Sequence, residues 1–143
     1  MKRLKKVGTK GKIRNVKKHT KYGINFRSGL ELYTYEQLIK YGLETNYETL
    51  TYTLVPNFTF IGKCLESSKK GLKSSSNKIR PWTYTPDFIG KNWVIECKGY
   101  GNEQWPLKLK MFKYIMKDIG ISLYIPSNKK QVNEVITDIL QNN

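Results

Sequence analysis

Apolar residues recur along the chain at two periods, and the switches between them mark the elements. From Ser28 the run SGLELYTYEQLIKYG puts Leu30, Thr34, Leu38 and Tyr41 on one helical face, with Gly42 where a helix-ending glycine belongs. Ser28 followed by Glu31 is a capping-box pattern. YETLTYTLVPNFTFIG, rich in Thr, Tyr and Phe, predicts one or two strands broken at Pro56. KCLESSKKGLKSSSNKIR (63–80) is polar, basic and rich in Ser and Gly, which predicts a loop. In WTYTPDFIGKNWVIECKGYG (82–101) two runs of β-branched and aromatic residues flank a short polar turn, the pattern of a hairpin. Pro106 opens a second helix, PLKLKMFKYIMKDIG, with Leu107, Met111, Tyr114 and Ile115 as its apolar stripe and Gly120 as its stop. ISLYIP is a short continuous apolar run, expected of a strand buried on both faces. The last helix takes Ser127 as N-cap and carries Val132, Val135, Ile136, Ile139 and Leu140 on one side.

The order α, several β, α, β, α predicts an α/β protein: a mixed β-sheet flanked by helices, with a β-α-β crossover near its end. No internal repeat is present. The 143 residues suffice for one domain with its own core, expected over 24–143.

Charge changes the picture of the N-terminus. Lys and Arg number 26 against 11 acidic residues, a net charge of +15. Residues 1–23 hold ten of the basic residues and no acidic one, so they are expected to form a flexible arm that orders on phosphates. The excess points to a polyanionic partner, nucleic acid in the first instance. A purely binding protein would be as basic, so charge names a partner class and no reaction. Two cysteines, Cys64 and Cys97, make no disulfide framework, and with the single His19 they cannot close a four-ligand zinc site. No apolar run approaches the roughly 20 residues of a membrane span. The basic start lacks the apolar stretch of a signal peptide. A reduced, cytoplasmic protein with no membrane partner is expected.

The hairpin holds the chemistry. Alternation in WVIECKG puts Trp93, Ile95 and Cys97 on one face and Val94, Glu96 and Lys98 on the other, so the second face should be wet or liganded. A two-residue turn at Gly90-Lys91 pairs Ile89 with Asn92 and Asp87 with Val94, which sets Asp87 diagonal to Glu96. A three-residue turn would put Asp87 opposite Ile95 and break the constellation. Two adjacent carboxylates repel unless a cation sits between them, and a hard ion such as Mg²⁺ or Mn²⁺ fits oxygen ligands and phosphate alike. Asp87, Glu96 and Lys98 on one face are the minimum set for metal-assisted phosphodiester hydrolysis. Each residue also has a plain structural reading. Glu96 and Lys98 can be a surface ion pair, Asp87 a turn carboxylate, and Glu31 a helix cap. With eight Glu and 22 Lys, chance alone supplies roughly one E-x-K triplet.

Three blocks together are more specific. FRSGLE (26–31), YTPDF (84–88) and VIECKG (94–99) resemble, in order, the motifs of the phage endonuclease I family of Holliday-junction resolvases, within the PD-(D/E)xK nucleases. The resemblance implies a restriction-endonuclease-like core and a domain-swapped homodimer, each active site taking its helix glutamate from one chain and its hairpin residues from the other. It implies Glu31, Asp87 and Glu96 as ligands of Mg²⁺ or Mn²⁺, Lys98 as the catalytic lysine, and branched DNA as the substrate cut by paired nicks. Asn57 to Trp82 is longer than the family pattern and reads either as an added DNA-contacting loop or as a change to the strand exchange. The residues expected on DNA are Arg27, Lys5, Lys6, Lys17 and Lys18 at the N-terminal end, and Lys69, Lys70 and Lys73 in the 63–80 insertion. The alternatives are a nuclease of the same fold acting on duplex DNA in repair or transposition, and a basic nucleic-acid-binding module without chemistry.

Overall fold

Ser28 ends a hairpin and starts a helix, and the remaining elements follow from comparable local signals. The computed structural model describes residues 19–98 and 102–142. Over these run β1 (His19–Lys21), β2 (Ile24–Phe26), α1 (Gly29–Lys40), β3 (Asn46–Tyr47), β4 (Tyr52–Val55) and β5 (Phe58–Thr59). Then come β6 (Leu65–Ser68), β7 (Gly71–Ser74), β8 (Lys78–Ile79), β9 (Trp82–Tyr84), β10 (Phe88–Ile89) and β11 (Trp93–Ile95). The chain closes with α2 (Trp105–Met116), β12 (Ser122–Tyr124) and α3 (Lys129–Asn142). Of the predicted arm, residues 1–18, including Lys5, Lys6, Lys17 and Lys18, lie outside the described residues; His19–Lys21 already pair with β2.

Helix α1 is bounded as its sequence demands. Ser28 is extended and its hydroxyl accepts the Glu31 amide at 3.2 Å. At the other end Gly42 takes φ +67°, and the amides of Gly42 and Leu43 donate to the carbonyls of Ile39 and Leu38, the paired bonds of a Schellman stop. Thr34 and Leu38 are buried, whereas Tyr41, at the cap, is exposed. Helix α3 starts one residue later than predicted. Asn128 rather than Ser127 caps it, its side-chain oxygen accepting the Gln131 amide at 2.9 Å, while Ser127 donates to the Gln131 side chain. Val132, Ile136 and Ile139 are buried; Leu140 faces out.

The central sheet has the order β12-β11-β10-β3. Strands β3, β10 and β11 run antiparallel and β12 joins β11 in parallel, so the sheet is mixed and α2 is the crossover between parallel strands. Strand β11 is buried on both faces. Trp93 and Ile95 pack with Leu38 of α1 and with Val132, Ile136 and Ile139 of α3. Val94 packs on the opposite face with Phe112 of α2, Leu54 and Tyr84. The face expected to be wet is therefore a second core at Val94 and becomes polar only at Glu96. Burying Phe88, Ile95 and Phe112 completely contributes about 1.5–3 kcal/mol each.

Three further expectations are corrected. The α2 stripe centres on Phe112, flanked by Met111, Ile115 and Met116; Leu107 and Tyr114 point to solvent, because the helix rests on the β4–β9 pair by the next row of its surface. Strand β12 is an edge strand, half-buried rather than enclosed. The loop predicted over 63–80 is a ribbon: β6 pairs β7 around a two-residue turn at Lys69-Lys70, and β8 pairs β5. Almost every side chain of β6 and β7 is exposed, so backbone bonds form the ladder without the apolar alternation by which strands are read.

Candidate active site

The first turn of α1 presents Glu31, which is buried. Its Oε1 accepts the Ser28 hydroxyl at 2.9 Å, and its Oε2 accepts the Arg27 amide at 3.0 Å and the Tyr47 hydroxyl at 2.6 Å. The capping reading of Glu31 is thus realised, extended by one residue to the Arg27 amide. Burial, followed by the hydrogen bond to Glu31, pushes the Tyr47 phenol well above its ordinary range, so Tyr47 remains a donor.

The hairpin register places the other acids. Phe88 pairs with Ile95 and Ile89 with Val94, and the Gly90 amide donates to the Trp93 carbonyl at 2.9 Å. The turn residues are Lys91 and Asn92 rather than Gly90 and Lys91, and extending this ladder sets Asp87 directly across from Glu96. A displacement of two residues leaves every side chain on its own face, so the constellation survives the changed turn. Gly90 is used for space: a Cβ there would come within 2.0 Å of the Trp93 indole.

Asp87 and Glu96 are both buried. Asp87 Oδ2 accepts the Cys97 amide at 2.7 Å. Glu96 Oε2 accepts the Tyr84 hydroxyl at 2.7 Å, and its Oε1 lies 2.6 Å from Lys98 Nζ. Burial first, then the charges of Glu96 and Glu31, raise the Asp87 carboxyl to about 8. Tyr84 sits edge-on to Phe112 and near Trp105, and burial with the Glu96 charge holds its proton firmly. Lys98 Nζ lies 4.4 Å from the centre of the Trp105 ring at the start of α2, a cation–π contact that fixes the ammonium at the rim.

These groups line one cleft of about 350 Å³. Glu31, Asp87, Glu96, Lys98 and Arg27, all predicted, meet there within a single chain. Lys69, Lys70 and Lys73 do not; they stand on the β6–β7 ribbon. The cleft also holds residues that the sequence reading missed. Glu48 takes φ +47°, donates its amide to the Asp87 carbonyl at 2.9 Å, and holds Arg27 Nε at 2.8 Å. Lys108 lies one turn into α2, and Tyr84 supplies the bond to Glu96. Only Tyr84 carried a signal, as the first residue of the YTPDF block.

Among the described residues no three His, Cys, Asp or Glu side chains stand together as a finished metal cage. Asp87 and Glu96 nevertheless meet the donor chemistry of a hard divalent ion: two buried carboxyl groups across a hairpin, one of them held protonated by burial first and then by the charges of Glu96 and Glu31, which such an ion would offset. Glu31 Oε1 accepts only the Ser28 hydroxyl among the described residues and keeps a lone pair with which to join them. Cys97, buried against Thr34 with its thiol pushed up by burial, is an inert structural thiol. Among the described residues no helix is long and apolar enough to cross a membrane.

A family model described as "Protein of unknown function (DUF1064)" matches residues 10–132. No curated protein and no solved structure matches the chain.

Proposed function

The chain belongs to the DUF1064 family of proteins of unknown function, and we propose that it is a metal-dependent, structure-selective DNA endonuclease of the PD-(D/E)xK kind, resolving four-way junctions by paired nicks as a homodimer. One observation carries the reading: Glu31, Asp87, Glu96 and Lys98, from a helix and a hairpin, line the same cleft in a protein of net charge +15.

Each side chain has work that its surroundings allow. A magnesium or manganese ion held by Asp87 and Glu96, with Glu31 as third donor, would polarise the scissile phosphodiester and make the attacking water more acidic. Tyr84 fixes the rotamer of Glu96 by a bond it cannot lose to deprotonation. Lys98, steadied by Trp105, donates to a phosphate oxygen or to the attacking water. Arg27, with its side chain 74% exposed and tethered among the described residues by Glu48, holds a neighbouring phosphate, and Lys108 another. Two such clefts related by a twofold axis would match the symmetric strands of a junction.

The test is incubation of the purified protein with a labelled four-way junction and Mg²⁺, beside its linear arms. Junction cleavage without cleavage of the arms is expected. Asp87→Asn and Lys98→Ala should bind the junction within a few-fold of the wild type and cut it at least about 10²-fold more slowly. Cleavage that survives both substitutions removes the assignment. Equal cutting of the arms moves the protein to the duplex nucleases, and binding without cutting leaves a nucleic-acid-binding module.

A further inference from the structure

The ribbon over Phe58–Ile79 has no part in the cleft, yet it grows from the β4–β9 pair, whose β9 lines it. Strand β4 leads through Pro56 and Asn57 into β5, β8 returns through Arg80 and Pro81 into β9, and β9 ends in Tyr84 beside Glu96. Beyond β5 and β8 the ribbon continues as β6 and β7, joined at their ends by the Ser75 amide donating to the Cys64 carbonyl at 3.1 Å. It turns at Lys69-Lys70.

Its side chains are unusual for a structural hairpin. From 63 to 80 there are six basic residues (Lys63, Lys69, Lys70, Lys73, Lys78, Arg80) and one acidic, Glu66. Five serines add hydroxyl donors, and Leu65 and Leu72 are left exposed. A ribbon with few buried contacts is retained at a cost in entropy, so a partner is expected. Two ribbons pairing edge to edge would bring like charges together, six basic against six, which disfavours a second copy. A polyanion is favoured instead. A two-stranded ribbon is also the β-structure whose width the major groove of DNA admits.

We propose that the ribbon is a DNA arm: it enters the major groove of a duplex held beside the cleft, with Lys69, Lys70 and Lys73 on the phosphates that flank the groove. This rests on the reading of the chain as an enzyme acting on DNA. The ribbon would supply affinity and duplex orientation, and the cleft would supply the chemistry.

The full chain is compared with Lys69→Gln/Lys70→Gln/Lys73→Gln, with the matching triple Lys→Arg, and with a chain in which 64–75 is replaced by a short Gly-Ser link. Affinity for a labelled duplex and a four-way junction is measured with Ca²⁺ across a salt series, beside a hydroxyl-radical footprint, the oligomeric state, and wild-type cleavage with Mg²⁺. The Gln triple should lose about tenfold or more in affinity and flatten the salt slope by about 2–3, since each phosphate contact contributes roughly 0.9. The Arg triple should keep both, and the Gly-Ser chain should lose protection on one duplex arm. An unchanged slope and footprint while the wild type still cuts overturns the arm and leaves the nuclease reading standing. A dimer that falls apart without the ribbon while the footprint is unchanged assigns the ribbon to a second copy and overturns the arm as well. A wild type that neither binds nor cuts DNA overturns both readings.

Discussion

With burial, Glu96 and Glu31 all pushing the Asp87 carboxyl from 3.8 to about 8, folding draws a proton onto it at every pH between those values. Its contribution to stability is complete below pH 3.8, declines as pH rises, and is gone above about 8. Asp87→Asn keeps an oxygen for the Cys97 amide and carries no charge. In chelator the variant should therefore gain on the wild type between pH 5 and pH 8 by more than about 1 kcal/mol, each unit of displacement being worth about 1.4. Denaturant titrations at the two pH values check this; a difference flat with pH would count against it. Added Mg²⁺ at pH 8 should close the gap by stabilising the wild type alone. Tyr84→Phe leaves the ring packed on Phe112 and removes the donor to Glu96. Single-turnover cleavage should fall about tenfold while junction binding holds, with about 1 kcal/mol lost in stability. Ellman's reagent should titrate the half-buried Cys64 in the native protein and reach Cys97 only after unfolding.

At the scale of elements, the helix caps are where fold and cleft share atoms. Ser28 accepts the Glu31 amide and donates to the Glu31 carboxylate. Ser28→Ala should cost about 1–2 kcal/mol by thermal unfolding, at the upper end of cap substitutions because a buried carboxylate loses a donor as well. Phe112→Ala, beneath Tyr84, should cost about 3–5 kcal/mol. The sequence made α1, α3, the hairpin and the β-α-β unit legible because each has a strong local signal: a cap, a period or a turn. It misplaced the apolar row of α2, since Leu107 and Tyr114 fit a helical stripe as well as Phe112 does, and only the β4–β9 pair decides between them. It missed β6 and β7 because a ladder formed by backbone bonds alone leaves no side-chain pattern. The hairpin faces were readable where the turn was not, since alternation is unaffected by a two-residue displacement. Glu48 was invisible: its place depends on a left-handed backbone and a bond to the Asp87 carbonyl, neither of which has a local signature.

Across the whole molecule stability is unevenly spread. Amides of α1, α3, β10 and β11, around Leu38, Phe88, Ile95 and Ile136, should be the last to exchange with deuterium, and those of β6 and β7 among the first. Slow exchange in the ribbon of the free protein would contradict this partition. The parallel edge strand has a different consequence. The Glu96 amide donates to the Tyr124 carbonyl at 2.9 Å and the Lys98 amide to the Pro126 carbonyl at 3.0 Å. Glu96 and Lys98 are translated before the residues that pin their backbone, so a nascent chain still lacking residues 122–126 carries both side chains without the strand that aligns them. On the proposed nuclease reading, pairing of the last strand then acts as a safety catch, and a half-made copy is expected to be inactive.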